Sequence, residues 1–202
     1  GMEGGGLASC TAVSTFLEYL QFIDPKTITS QERLIAAVEQ ALILADQKVY
    51  SLLHSRGGTT IAVALIGPFG ETAIFYAGDS RVYRHDKQGN IAHTEDQVLW
   101  GNRLLNFIGI VPGCLQLPSE SVPTENFHYF LGTTDGVHDL ISPNLMEMQH
   151  TQDQPATVQL VEEAVEIKGH DNTTAAVLVL NPNCKRIGFP LIPKIKLAVR
   201  AW

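Results

Sequence analysis

Three stretches, residues 61–66, 73–77 and 175–180, are apolar almost from end to end, yet the turns around them call for antiparallel pairing. Gly67-Pro68-Phe69-Gly70 joins residues 59–66 to 72–77 as a hairpin, and Lys87-Gln88-Gly89-Asn90 joins 81–84 to 91–94 as a second, shorter one. An antiparallel strand with one wet face alternates apolar with polar residues, so strands without alternation must be covered on both faces. Amphipathic helices before and after these strands supply the cover. The pattern predicts an α+β fold, a four-layer α-β-β-α sandwich of two antiparallel sheets packed together and flanked by helices.

The helices have their own signals. Val13, Phe16, Leu17 and Leu20 share one face of residues 7–22, which Pro25 terminates. Thr29-Ser30-Gln31-Glu32 is a capping-box pattern, and Leu34, Val38, Ala41, Leu42, Ala45, Val49 and Leu52 run as a stripe toward Arg56 and Gly57. Residues 97–107 read as helical, and the prolines at 112, 118 and 123 predict an irregular crossing after them. Pro155 and Gly169 bracket a further helix with Val158, Val161, Ala164 and Val165 on one side.

With 202 residues, 45% hydrophobic and 17% charged, the chain can bury a sizeable core. Its charge divides unevenly: five of the 14 basic residues and none of the 21 acidic ones lie in 183–202, which leaves 1–182 at −12. Residues 1–181 read as one domain and 182–202 as a basic, proline-containing tail. The net charge of −7 argues against a general nucleic-acid binder, which needs a basic face for phosphates. No apolar run approaches the ~20 residues that cross a bilayer. Cys10, Cys114 and Cys184 are odd in number and widely spaced, without a secretory segment or a C-x-x-C, which points to a reducing cytoplasm.

The chemistry concentrates in acids beside glycines. Asp135, in Thr133-Thr134-Asp135-Gly136, stands at the carboxyl end of a buried strand, where Gly136 is read as the residue that lets the chain turn sharply into a helix. An isolated acid there is commonly a helix N-cap. Asp171, in Gly169-His170-Asp171-Asn172, repeats the setting at the mouth of residues 175–180, and two acidic strand ends on one core can share a hard cation. Asp79, in Ala77-Gly78-Asp79-Ser80-Arg81, marks either a tight strand bend or another acidic ligand. Ser80 with Asp135 and His138 also offers a serine-esterase reading. That reading needs a turn into a helix after Ser80, whereas Arg81-Val82-Tyr83-Arg84 reads as strand. His138 reads as a packed, hydrogen-bonded ring, and Met146 and Met148 as core filler.

Taken in order, these pieces resemble the metal-dependent protein phosphatases of the protein phosphatase 2C family over residues 1–181. The matching motifs are Gly1-Met2 with the glycines after it, Gly58-Thr59-Thr60, Ala77 to Tyr83, Thr94-Glu95-Asp96, Thr134-Asp135-Gly136 with Asp139, and Asp171 to Ala175. The resemblance implies hydrolysis of phosphoserine and phosphothreonine in a phosphorylated protein substrate. Two manganese or magnesium ions activate a bridging water for this attack, and no catalytic group beyond the metal ligands is needed. It implies Asp135 and Asp171 as ligands of the first ion and Asp79 as a ligand of a weaker third.

The departures carry expectations too. The family places an Asp directly before its Gly-Met, with an Arg for the substrate phosphate and a further acid upstream, and these 202 residues contain none of the three at those places. The chain therefore reads as lacking the family's opening strands and its bridging carboxylate. The expected consequence is one weak metal site at most and impaired turnover. The alternative is a non-catalytic pseudophosphatase that binds a partner. Gln97 stands where the family often has His, and the substrate-side flap is short. Sheet edges left open predict cover by the basic tail or by a second copy of the chain as a homodimer.

Overall fold

The computed structural model describes residues 4–54, 56–100, 103–141, 156–168 and 172–180. Gly1-Met2, Asp171, Met146, Met148 and the basic tail therefore lie outside the described residues. The chain divides into two compact units, one of residues 1–80 and 95–124, the other of residues 81–94 and 125–202.

In the first unit, helices α1 (Gly5–Phe22) and α2 (Gln31–Leu53) pack on a sheet of β1 (Ile61–Ile66), β2 (Glu71–Ala77) and β7 (Ser119–Pro123), in the order β1-β2-β7 and antiparallel throughout. The cap lies one residue later than a Thr29–Glu32 capping box places it: Ser30 is the N-cap of α2, and its Oγ accepts from the Arg33 amide at 3.4 Å. Phe16, Val38, Ala41, Leu42, Ala73 and Phe75 form one core cluster, and Ala8, Ala12, Ala45, Val49 and Ile108 form another. Burial of this apolar surface, at roughly 25 cal/mol per Å², is what holds helices to sheet. On the opposite face of β2, Ile74 and Tyr76 are buried as well. This matches the cover on both faces that the unbroken apolar run requires.

The second unit holds the sheet β4-β3-β8-β9, built from β3 (Arg81–Asp86), β4 (Ile91–His93), β8 (Phe127–Thr133) and β9 (Ala175–Val179), again antiparallel. The short helix α3 (Asp135–His138) and the longer α4 (Ala156–Lys168) pack on it through Tyr83, Leu131, Val137, Ile141, Leu160, Ala164 and Ala175. The buried face of α4 is set by Thr157, Leu160 and Ala164, whereas Val165 is half exposed. The stripe is thus turned from the one the valines suggested.

Two segments depart from the sequence reading. Residues 97–107 contain a small hairpin of β5 (Val98–Leu99) and β6 (Arg103–Leu104) instead of a helix. The reason is at Gln97, whose main-chain carbonyl accepts from the Leu105 amide at 2.8 Å, a pairing that helical geometry does not allow. The proline-bracketed crossing contains β7, which pairs with β2 from Phe75↔Ser119 to Glu71↔Pro123. Pro123 is tolerated as the last residue of a strand at the edge of its sheet.

Candidate functional site

In the second unit β8 is a central strand, and its last residue, Thr133, is flanked by Arg81 of β3 and Ala175 of β9. Thr134 is the N-cap of α3 and Asp135 its first residue, so the N-cap reading of Asp135 does not hold. Asp135 is half buried, and its Oδ1 accepts from the Gly136 amide at 2.9 Å. The turn is stitched to the residues before β9. The Thr134 hydroxyl donates to the Asn172 carbonyl at 3.1 Å and accepts from the Thr174 amide at 3.0 Å, while the Thr134 amide donates to the Thr174 carbonyl at 3.1 Å.

Gly136 is required here for a different reason from the one its sequence suggested. It does not take a positive φ. A Cβ at this position would stand 2.6 Å from the Asn172 carbonyl oxygen and 3.2 Å from Thr173 Oγ1. The glycine is a place of close approach between two chain segments, and it brings the turn of Asp135 against Asn172. Asp171 precedes Asn172 in the sequence and lies outside the described residues. His138 is buried, with Nδ1 2.9 Å from the Thr133 hydroxyl, as a packed, hydrogen-bonded ring requires.

In the first unit, Asp79 follows β2 at a bend where Gly78 has φ +104°, a conformation that L side chains rarely adopt. The Gly78 amide donates to Gln97 Oε1 at 2.9 Å, and the Gly78 carbonyl accepts from the Gln97 amide at 3.0 Å. Ser80 shares a 2.7 Å hydrogen bond with the Thr60 hydroxyl and is followed at once by β3. No strand-to-helix elbow follows Ser80, which removes the geometry the esterase reading needs.

Two residues outside the sequence-predicted set do structural work nearby. Asp46, 2% exposed on α2, accepts through one oxygen from the amides of Gly109 at 2.7 Å and Ile110 at 3.1 Å. Burial pushes its carboxyl above the ordinary range, and the two amides pull the other way. The sequence signal was an acid on the apolar face, four residues after Leu42 and three before Val49. Asn106, 3% exposed, donates to Gln97 Oε1 at 2.8 Å and to the Gln116 carbonyl at 2.6 Å. No single-sequence signal marks it.

No family model matches the chain, and no curated protein matches it by sequence. Solved structures do match in fold. Stp1, a serine/threonine phosphatase from Staphylococcus aureus, superposes with a TM-score of 0.72 at 17% identity, over 86% of this chain and 76% of that one. The catalytic domain of the serine/threonine protein phosphatase PstP, in complex with two manganese ions, gives 0.66 at 17% identity over 86% and 80%. PppA, a regulatory component of the type VI secretion system of Pseudomonas aeruginosa, gives 0.68 at 18% over 82% and 77%. The chain has the fold of the PP2C-type serine/threonine phosphatases.

The PstP catalytic domain carries two manganese ions. Among the described residues no three His, Cys, Asp or Glu side chains form a group able to hold one. The donors at the Asp135 turn are nonetheless of the right kind, a half-buried carboxylate and main-chain carbonyls, which are hard oxygen ligands suited to manganese or magnesium. No helix among the described residues is long and apolar enough to cross a membrane.

Proposed function

We propose that the chain is a metal-dependent phosphatase acting on phosphoserine and phosphothreonine in proteins, with Asp135 and Asp171 as metal ligands and Asp79 as the ligand of a further ion. The observation that carries this reading is the turn of Asp135. Asp135 is the first residue of α3 and not its N-cap, its Oδ1 accepts from the Gly136 amide, and Gly136 leaves room for Asn172 to close on the turn. Bound manganese or magnesium supplies an activated water and neutralises charge on the phosphoryl oxygens. The chain's own share is to hold the Asp135 turn: the Thr134 hydroxyl donates to the Asn172 carbonyl and accepts from the Thr174 amide, and the buried His138 ring bonds to the Thr133 hydroxyl just before it. The role of Asp79 rests on the resemblance, supported by its place at a rigid bend.

Residues 1–202 by themselves are expected to turn over slowly, because the family's bridging carboxylate is not among them. The alternative reading is a phosphoprotein-binding role without turnover. Phosphate release from a phosphothreonine peptide by the 202-residue chain, measured with and without manganese, tests both. Slow manganese-dependent release that disappears in Asp135→Asn supports the phosphatase. Peptide binding without release supports the second reading, and labelling of Ser80 by a fluorophosphonate would overturn both. A cytoplasmic location belongs to the same proposal, as does self-association through edge strands, which sedimentation velocity would register as a dimer.

A further inference from the structure

The bend that carries Asp79 is tied into the first unit by a closed ring of polar contacts. Gln97 and Gly78 exchange two hydrogen bonds, from the Gly78 amide to Gln97 Oε1 at 2.9 Å and from the Gln97 amide to the Gly78 carbonyl at 3.0 Å. The same Oε1 accepts from Asn106 Nδ2 at 2.8 Å. Asn106 is in turn fixed by Gln116, whose amide donates to Asn106 Oδ1 at 3.1 Å. A single sp² oxygen with two lone pairs thus serves two converging N–H donors, one of them on the residue directly before Asp79. On the other side of Asp79, Ser80 is held by the Thr60 hydroxyl at 2.7 Å. Gly78 itself has no freedom to spare, since its φ is +104° and a Cβ there would meet Thr60 Cγ2 at 2.4 Å.

We infer that Gln97 is a positioning residue for Asp79. It fixes the backbone of Gly78, and with it the direction in which the Asp79 carboxylate is presented to a metal ion. The side chain must reach Gly78 and must end in an acceptor. Gln meets both needs and Glu would, whereas Asn is one methylene short and Met has no oxygen. Asn106 acts one step further out, by keeping Oε1 of Gln97 aimed at the bend. The inference rests on the proposed ligand role of Asp79, and it adds a residue that touches neither metal nor substrate.

The test combines amide hydrogen exchange at Gly78 with manganese titration of the full 202-residue chain, for the wild type, Gln97→Met, Gln97→Glu and Asp79→Asn. In Gln97→Met the Gly78 amide should exchange roughly tenfold faster, as expected when a buried donor loses its acceptor. Manganese affinity should fall in the same variant by about as much as in Asp79→Asn. Gln97→Glu keeps the acceptor and should restore exchange protection, with manganese bound at least as tightly as in the wild type. If Gln97→Met does not fold, Gln97→Asn carries the same two expectations. Unchanged manganese affinity in Gln97→Met, beside a loss in Asp79→Asn, would overturn the inference and leave Asp79 as a ligand. No loss in Asp79→Asn would remove the ligand role and the inference together. Exchange that rises evenly across the unit, instead of at the bend, would reduce Gln97 to a structural residue and overturn it as well.

Discussion

Asp79 and Asp135 occupy the same local pattern, an acid beside a glycine just past the end of a buried strand, one in each unit of the chain. The glycines differ in what they do. Gly78 comes before its acid and supplies a backbone conformation, φ +104°, that other residues resist. Gly136 comes after its acid, keeps an ordinary backbone, and supplies empty space for the Asn172 carbonyl. The supports differ in the same way. The bend at Asp79 is held from outside by Gln97 and Thr60 side chains, whereas the turn at Asp135 is held by its own N-cap, Thr134, reaching across to Asn172 and Thr174 just before β9. One acid is presented by a glycine-dependent bend that distant residues clamp. The other is presented by two segments pressed together.

The largest expected effect is chemical. Asp135→Asn should abolish any manganese-dependent phosphate release, a loss of at least ~100-fold if a metal ligand contributes several kcal/mol to the transition state. A phosphopeptide assay checks it, and activity that survives the substitution would sink the metal-ligand role.

Next come the glycines, where the two mechanisms separate. Gly78→Ala should cost about 2–4 kcal/mol in urea unfolding, from left-handed strain together with the contact on Thr60 Cγ2. Adding Thr60→Ser, which removes that methyl and keeps the hydroxyl bonded to Ser80, should return part of the loss. Gly136→Ala should cost about 1–3 kcal/mol from overpacking alone. No side-chain substitution should rescue it, because the nearest atoms are the Asn172 main chain. Rescue of both, or of neither, would erase the distinction.

Thr134→Val is milder. It keeps shape while removing one donor and one acceptor, and should cost about 1–2 kcal/mol with faster amide exchange at Thr174.

The smallest effect concerns Asp46, an acid used as an anchor. Its folded carboxyl is raised above 3.8 by burial, so the folded chain holds the proton more tightly than the unfolded one. That contribution to stability is full below the unfolded value and is lost as pH rises through the raised folded value. Asp46→Asn keeps an oxygen for the Gly109 and Ile110 amides but cannot titrate. Its urea midpoint should therefore gain on the wild type as pH climbs from below 3.8. The opposite slope would show that the amide bonds outweigh burial.

Much of this arrangement follows from sequence. The apolar runs at 61–66, 73–77 and 175–180 dictated antiparallel strands, of which 73–77 is buried on both faces while Ile66 and Val179 are exposed, and the stripe from Val38 to Val49 dictated α2. Such features are local and periodic, so the chain states them wherever it folds. The acids at 79 and 135 were legible because an Asp beside Gly after an apolar strand is itself a local pattern. Tertiary structure decided the rest. Residues 97–107 carry a helix-like pattern, but pairing of Gln97 with Leu105 and Gly78 overrides it. Asn106 and Thr134 acquire their roles from partners 10 and 38 residues away. Gly136 looked like a turn residue and is a packing residue, because the atom that excludes a Cβ belongs to Asn172. A sequence records which conformations each residue tolerates, and only the folded chain brings up the neighbour that makes one of them necessary.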